Sequence, residues 1–179
     1  MEIRELVDQN PWWKDRNAIE EDYDVFKWKE KRHRWMPDLI ENISLEPFAL
    51  HIVSGPRQAG KTTALKLLIK NLLKDKDGKS IFYFNCENLS DYKELLEVLE
   101  LYFEFKEGSS VKTSIIILDE ITLPKEWYRA IKFLIDKGSL RNDVVILTGS
   151  SSIDVKRDVE LFPGRRGKGK DFNLLPLSF

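Results

Sequence analysis

From Phe48 onward the apolar and polar positions fall into a repeating order. Ala49–Val53 is a short apolar run closed by a glycine-containing loop, and a segment of helical period follows from Thr62 to Lys74, with Leu65, Leu68, Ile69, Leu72 and Leu73 on one face. Asp75–Lys79, with Gly78, breaks that period. Ser80–Asn85 is rich in β-formers, and Ser90 is placed to cap a helix near 91–105 that buries Tyr92, Leu95, Leu96, Leu99 and Phe103. After a turn at Gly108–Ser110, Ser114–Leu118 is an unbroken β-branched and leucine run, the pattern of a central parallel strand covered on both faces. Pro124 stands where a first-turn proline belongs, and Trp127, Ala130, Ile131, Leu134 and Ile135 give the next amphipathic face, stopped by Gly138. Val144–Thr148 reads as a fourth strand. A Ser-rich turn, a short helical stretch to about Glu160, a basic glycine-rich segment and a last apolar run from Phe172 to Phe179 complete the chain. This alternation predicts an α/β sandwich with a mainly parallel sheet.

Residues 1–47 lack a continuous period and are rich in Trp and charge, so they read as an N-terminal extension packing on a core of residues 48–179. Within the extension, Asp38–Ile43 has room for a turn or two of helix before Pro47, placed to pack against the next strand. The chain has 179 residues, enough for one ordinary domain or a little more. With 42% hydrophobic and 33% charged residues it has the composition of a globular protein with a charged surface. The formal charge of −1 means that attraction to nucleic acid has to come from local patches. Cys86 is the only cysteine, which excludes an intrachain disulfide and a cysteine-rich zinc site. A reducing cytoplasm fits best, since the sequence carries no secretory-type start and no apolar run near the roughly 20 residues of a membrane-spanning helix.

Between the first strand and its helix stands Gly55-Pro56-Arg57-Gln58-Ala59-Gly60-Lys61-Thr62-Thr63, a full match to GxxxxGK[ST] in the context that motif requires. Glycines there let consecutive N–H groups converge on phosphates at a helix N-terminus. Lys61 is expected to reach the β- and γ-phosphates of ATP and Thr62 to ligate Mg²⁺. Thr63 is either an α-phosphate contact or a helix-start residue. The run Ile115–Leu118 ends in Asp119 and Glu120, the form of a Walker B element. Asp119 is expected to hold Mg²⁺ through its water shell, and Glu120 to polarise a water for attack on the γ-phosphate. At the end of the fourth strand Thr148 is the first choice for a hydroxyl beside the γ-phosphate and Ser150 the second, against a serine-rich cap that touches no nucleotide.

Between Lys156 and Lys170 six bases stand against two acids. Arg165 or Arg166, flanked by Gly164 and Gly167, is a candidate arginine finger within the chain or across a subunit boundary; a solvated loop weighs equally, and a nucleic-acid contact is weaker. Lys27–Arg34 carries the same weak nucleic-acid signal. His33 and His51 are too isolated for a metal site, Cys86 reads as a buried small residue, and the tryptophans read as packing anchors.

Taken together, Gly55–Thr63, Ile115–Ile121, Leu147–Ser152, Gly164-Arg165-Arg166-Gly167 and the ending Leu175–Phe179 resemble a family of prokaryotic AAA-type ATPases. The resemblance implies a P-loop NTPase fold, a three-layer αβα sandwich on a five-stranded, mainly parallel sheet. Its strands would be Ala49–Val53, Ser80–Asn85, Ser114–Leu118, Val144–Thr148 and Phe172–Leu177, with the strand bearing Thr148 between the acid-bearing strand and the phosphate-loop strand. It also implies functional positions at Lys61, Thr62, Asp119, Glu120 and Thr148 and a basic residue in the Gly-Arg-Arg-Gly stretch. Such ATPases continue past this ending into a lid and a C-terminal domain, so the chain is expected to be the ATPase core alone. The expected function is ATP hydrolysis with Mg²⁺ that drives or resets a conformational change in a further domain or a partner, one that handles DNA being an option; a homo-oligomer or a partner protein is the expected association. A nucleotide-dependent switch, a small-molecule P-loop kinase and a nucleic-acid-binding module are the rivals.

Overall fold

A computed structural model of the chain describes residues 1–149 and 164–175. Five strands form one all-parallel sheet: β1 (Ala49–Ser54), β2 (Ile81–Asn85), β3 (Ile115–Asp119), β4 (Val144–Gly149) and β5 (Asp171–Asn173), in the order β2-β3-β4-β1-β5. The acid-bearing β3 is thus separated from β1 by β4, as the resemblance implies. Residues 176–177 of the expected fifth strand, and Ser150, lie outside the described residues. Every residue of β1, β3 and β4 is buried, which explains why their sequences run apolar without alternation.

Among the described residues three helices connect the strands: α4 (Lys61–Leu72) between β1 and β2, α5 (Tyr92–Glu107) between β2 and β3, and α6 (Tyr128–Asp136) between β3 and β4. The first crossover runs opposite to the other two, so right-handed connection places α4 on one face and α5 and α6 on the other, making three layers. Two local expectations are corrected. The cap of α5 is Asp91, whose carboxylate accepts from the N–H groups of Lys93 and Glu94, while Ser90 N–H donates to Glu94. Pro124 lies four residues before α6, in the turn after β3, and not in the helix's first turn.

The extension is more regular than its sequence suggests. It contains α1 (Ile3–Gln9), a 3₁₀ turn at Pro11–Trp13, a second at Arg16–Glu21, α2 (Tyr23–Glu30) and α3 (Leu39–Asn42). A reciprocal Glu2–Glu5 box starts α1 and the Asp22 carboxylate caps α2. The one-turn α3 packs chiefly on α4 rather than on β1.

The two sides of the run β2-β3-β4-β1 are closed by different means. Along β2 the extension supplies side chains where a strand would supply backbone. Asn10 accepts from Tyr83 N–H at 2.7 Å and donates to Tyr83 C=O at 2.8 Å, and Gln9 accepts from Asn85 N–H at 2.8 Å. The indole N–H groups of Trp12 and Trp13 both donate to Ile81 C=O, at 3.0 and 2.9 Å. These tryptophans are buried anchors, as read from the sequence, and also polar partners of a strand edge. Along β1 the chain from Arg166 to Leu174 does the covering: Leu50 N–H bonds Arg166 C=O, Lys168 N–H bonds Phe48 C=O, and Ile52 N–H bonds Lys170 C=O, each at 3.0 Å. Gly169 permits that approach, since a Cβ there would stand 1.8 Å from the Leu50 carbonyl oxygen.

Candidate functional site

The carboxyl ends of β1, β3 and β4 meet at one edge of the sheet, where α/β folds place ligands. From β1 the chain enters the loop Gly55–Gly60, whose crown of Pro56, Arg57 and Gln58 is exposed while Gly55 and Ala59 are buried. Gln58 and Gly60 both take left-handed backbone, with φ of 63° and 84°. That conformation turns successive N–H groups toward one concavity, and among the described residues no side chain caps the start of α4 that follows. Open amides at a helix mouth suit an anion.

Lys61 is the first residue of α4 and its side chain is only 4% exposed. Its Nζ donates to the carbonyls of Gly55 and Pro56, both at 3.1 Å, and stands 3.6 Å from Glu120 Oε1. The three donors of one ammonium are therefore aimed at the loop and at the acid facing it. One residue on, Thr62 Oγ1 donates to Asp119 Oδ2 at 2.8 Å, which ties α4 to the end of β3.

Asp119 is fully buried and is served by hydroxyls from three elements. Besides Thr62, the phenol of Tyr83 on β2 donates to Oδ2 at 3.0 Å, and Thr148 on β4 donates to Oδ1. Burial, then the charge and hydrogen bond of Asp119, push the Tyr83 phenol far above its ordinary value, so it stays a neutral donor. Glu120 adopts φ of 51°, a left-handed conformation that costs a β-carbon-bearing residue roughly 1–2 kcal/mol. Its N–H donates to Thr148 Oγ1 at 3.0 Å and to Asp119 Oδ1 at 3.2 Å, and Ile121 N–H donates to Thr148 C=O at 2.8 Å. This clamp brings the Glu120 carboxylate, 21% exposed, to the Lys61 side of the turn.

Lys61, Thr62, Asp119, Glu120 and Thr148 are thus gathered within hydrogen-bonding or ion-pairing reach of one another. Thr63 points elsewhere, donating to Asp24 of the extension at 3.2 Å. Arg165 and Arg166 are not brought to this place. Arg165 Nε pairs with Asp136 at the end of α6 at 2.6 Å, and Arg166 pairs with Asp171 at 2.5 Å beside Leu50. Leu50 lies four residues before the end of β1, about 13 Å from the loop at ~3.3 Å per residue. Among the described bases of the stretch, Lys168 also pairs, with Glu46. Lys156 and Arg157 lie outside the described residues. One participant was missed in the sequence, Tyr83. For Tyr83 the available signal was a polar-tipped aromatic in an otherwise apolar run.

Cys86 is buried, and burial raises its thiol well above the ordinary value, so it is no nucleophile. Among the described residues no group of three or more metal-ligating side chains occurs, and no helix is long and apolar enough to cross a membrane.

The sequence profile of the AAA domain family matches residues 48–179, most of the chain. The chain belongs to the AAA domain family. Two relatives of this AAA domain are uncharacterized ATP-binding proteins of Methanocaldococcus jannaschii. One is 38% identical over 63 residues, 34% of this chain and 17% of the relative; the other is 32% identical over 87 residues, 48% and 23%. The matches thus span less than a quarter of either relative's length. Among solved structures, the Aeropyrum pernix ORC2 protein in its ADP form superposes with a TM-score of 0.50 at 14% identity, covering 76% of this chain and 44% of that one. At that identity the likeness speaks for the fold alone.

Proposed function

We propose that this AAA domain binds ATP with Mg²⁺ at the Gly55–Thr63 loop and hydrolyses it, with the turnover driving or resetting a conformational change in a partner or a further domain. The observation that carries the reading is the convergence of Lys61 and Thr62 from α4 with Asp119 and Glu120 from β3. The residues fit the ligand. The loop amides and Lys61 supply donors and positive charge for the phosphates, and Thr62 and Asp119 supply the oxygen donors that Mg²⁺ prefers. Bound Mg²⁺ would neutralise charge on the phosphates. In the pairing seen here Lys61 is shared with Glu120, and a γ-phosphate at the loop would take over the ammonium. Glu120 is then released to accept a proton from an attacking water, while Thr148 fixes the turn that aims it. ATP binding in the archaeal relatives, stated in their names, supports the same choice of nucleotide. Arg165 is half-exposed in its pair with Asp136, so any finger role for it belongs to a neighbouring copy in a homo-oligomer.

Two variants test this. Lys61→Ala should abolish the rise in melting temperature given by ATP with Mg²⁺, an effect worth about 2.7 kcal/mol in the native protein at a hundred times Kd. Glu120→Gln should keep that rise and slow single-turnover hydrolysis by about 10²-fold or more. An unchanged ATP shift in Lys61→Ala sinks the site assignment; equal hydrolysis rates in Glu120→Gln and native protein sink the assignment of the water-activating acid.

A further inference from the structure

The Tyr83 phenol is more than filling for the core. Tyr83 pairs with Ile117 across the β2–β3 ladder, and Asp119 is two residues further along β3 on the same face. A long aromatic side chain spans that diagonal, and the hydroxyl ends 3.0 Å from Asp119 Oδ2, the oxygen that also accepts from Thr62. With the ring 4% exposed, a phenylalanine would fill this space equally well. The hydroxyl has been brought into the core and its hydrogen bond goes to the carboxylate at the centre of the site.

Tyr83 is itself held from outside the family-matched segment. Asn10 of the extension bonds both its N–H and its C=O. On the α4 side of the sheet the Lys66 ammonium sits 3.7 Å from the centre of the Tyr83 ring and 5.4 Å from that of Trp12, and 3.3 Å from Asp22 Oδ2. A cation over the ring face fixes the plane of the ring and draws electron density from the phenol, which makes its O–H a better donor. Asp22 and Trp12 belong to the extension, and Asp22 also caps α2. A continuous set of contacts therefore runs from the extension through Lys66 and Tyr83 to Asp119.

We propose that Tyr83 is a positioning residue of the ATP site: it holds Oδ2 of Asp119 in the orientation needed for Mg²⁺ when the Thr62 hydroxyl turns from Asp119 to the cation, and the extension tunes it through Asp22 and Lys66. This rests on the reading of Asp119 and Thr62 as the metal-holding pair. It gives residues 1–47 a part in the chemistry through Tyr83, and makes metal affinity responsive to anything that moves the extension.

The test is calorimetric titration of the whole chain with a non-hydrolysable ATP analogue, in excess chelator and in excess Mg²⁺. The quantity read is the factor by which Mg²⁺ tightens binding. Tyr83→Phe should leave metal-free affinity within about twofold and cut the Mg²⁺ factor about tenfold, the scale of one hydrogen bond to a charged group. Lys66→Gln and Asp22→Asn keep the phenol and should each cut it about threefold. Asp119→Asn should remove the factor altogether. If Asp119→Asn keeps it, the metal-holding assignment fails and the proposal with it. If Asp119→Asn removes it while Tyr83→Phe keeps the native factor, the proposal alone is overturned. Equal weakening with and without Mg²⁺ in Tyr83→Phe marks a merely structural residue and also overturns it. Should Tyr83→Phe fail to fold, the Lys66 and Asp22 variants decide: a native Mg²⁺ factor in both refutes the link from the extension.

Discussion

Replacing Asn10 by alanine isolates the device that closes the β2 edge. Asn10 is fully buried and its side chain makes three bonds, two of them with the backbone of Tyr83 and one donated to Leu6 C=O at 2.8 Å. Alanine leaves the N–H and the C=O of Tyr83 without a partner in a position closed by the extension. Each orphaned group costs about 1–3 kcal/mol, which gives roughly 4 kcal/mol for the pair. A domain of this size is stable by about 5–15 kcal/mol, so the variant should be folded but near its limit. Equilibrium urea unfolding followed by tryptophan fluorescence measures the loss directly, with Trp12 and Trp13 close to the altered site. Asn42→Ala is the control, because Asn42 makes one exposed bond to Asp38 C=O, and its loss should stay below about 0.5 kcal/mol. A loss under about 1 kcal/mol for Asn10→Ala at unchanged m-value would refute the idea that side chains stand in for a neighbouring strand.

Three further outcomes concern His51, Gly169 and Asp143. His51 is buried and lowered below its ordinary value of 6.5, first by desolvation; Lys170 N–H donates to Nδ1 at 3.0 Å, so Nε2 carries the proton donated to Ser44 C=O at 2.8 Å. The unfolded chain thus binds the proton more readily, and stability present above pH 6.5 is lost as pH falls below it; His51→Gln should flatten that slope in pH-dependent unfolding. Gly169→Ala should lower the melting temperature by about 10 °C or more, because its methyl cannot share space with the Leu50 carbonyl; an unchanged melting curve would mean that the segment does not lie along β1. Asp143 is buried and raised above the ordinary carboxylate range, first by desolvation, with Lys106 at 2.6 Å opposing the rise. Lys106→Met should therefore cost about 3–5 kcal/mol at neutral pH and less as pH falls and Asp143 takes up a proton; a cost independent of pH would show that pairing is not what Lys106 supplies.

The parts of this protein that were legible in the sequence are those built from contiguous residues. The phosphate-loop motif carries its own geometry, and an apolar run ending in Asp119 and Glu120 identifies a buried strand and its carboxyl end together. The α/β class followed from the alternation of periods, and the strand order from family resemblance. What stayed hidden depends on pairs distant along the chain. Asn10 and Tyr83 are 73 residues apart, and neither type announces that one will complete the other's backbone bonds. The short α1 was visible in principle, since Leu6 and Val7 stand three and four residues beyond Ile3, but seven residues are too few for period alone to decide. The basic glycine-rich segment read equally well as a solvated loop, whereas the missing side chains of Gly167 and Gly169 are what let it lie against β1.

These two edge closures explain how a sheet with a short fifth strand stays a defined platform. β3 and β4 need no such help, each being paired on both sides within the run β2-β3-β4-β1. β2 and β1 each need a partner on their other side, and the chain supplies one from before β1 and, in the segment that contains β5, one from after β4. Because the extension's closure passes through Tyr83, the contacts that stabilise β2 and those that orient Asp119 share one residue. Stability of the edge and geometry of the site are therefore coupled by construction. Variants of the extension should move both, whereas variants along β1, such as Gly169→Ala, should move stability alone.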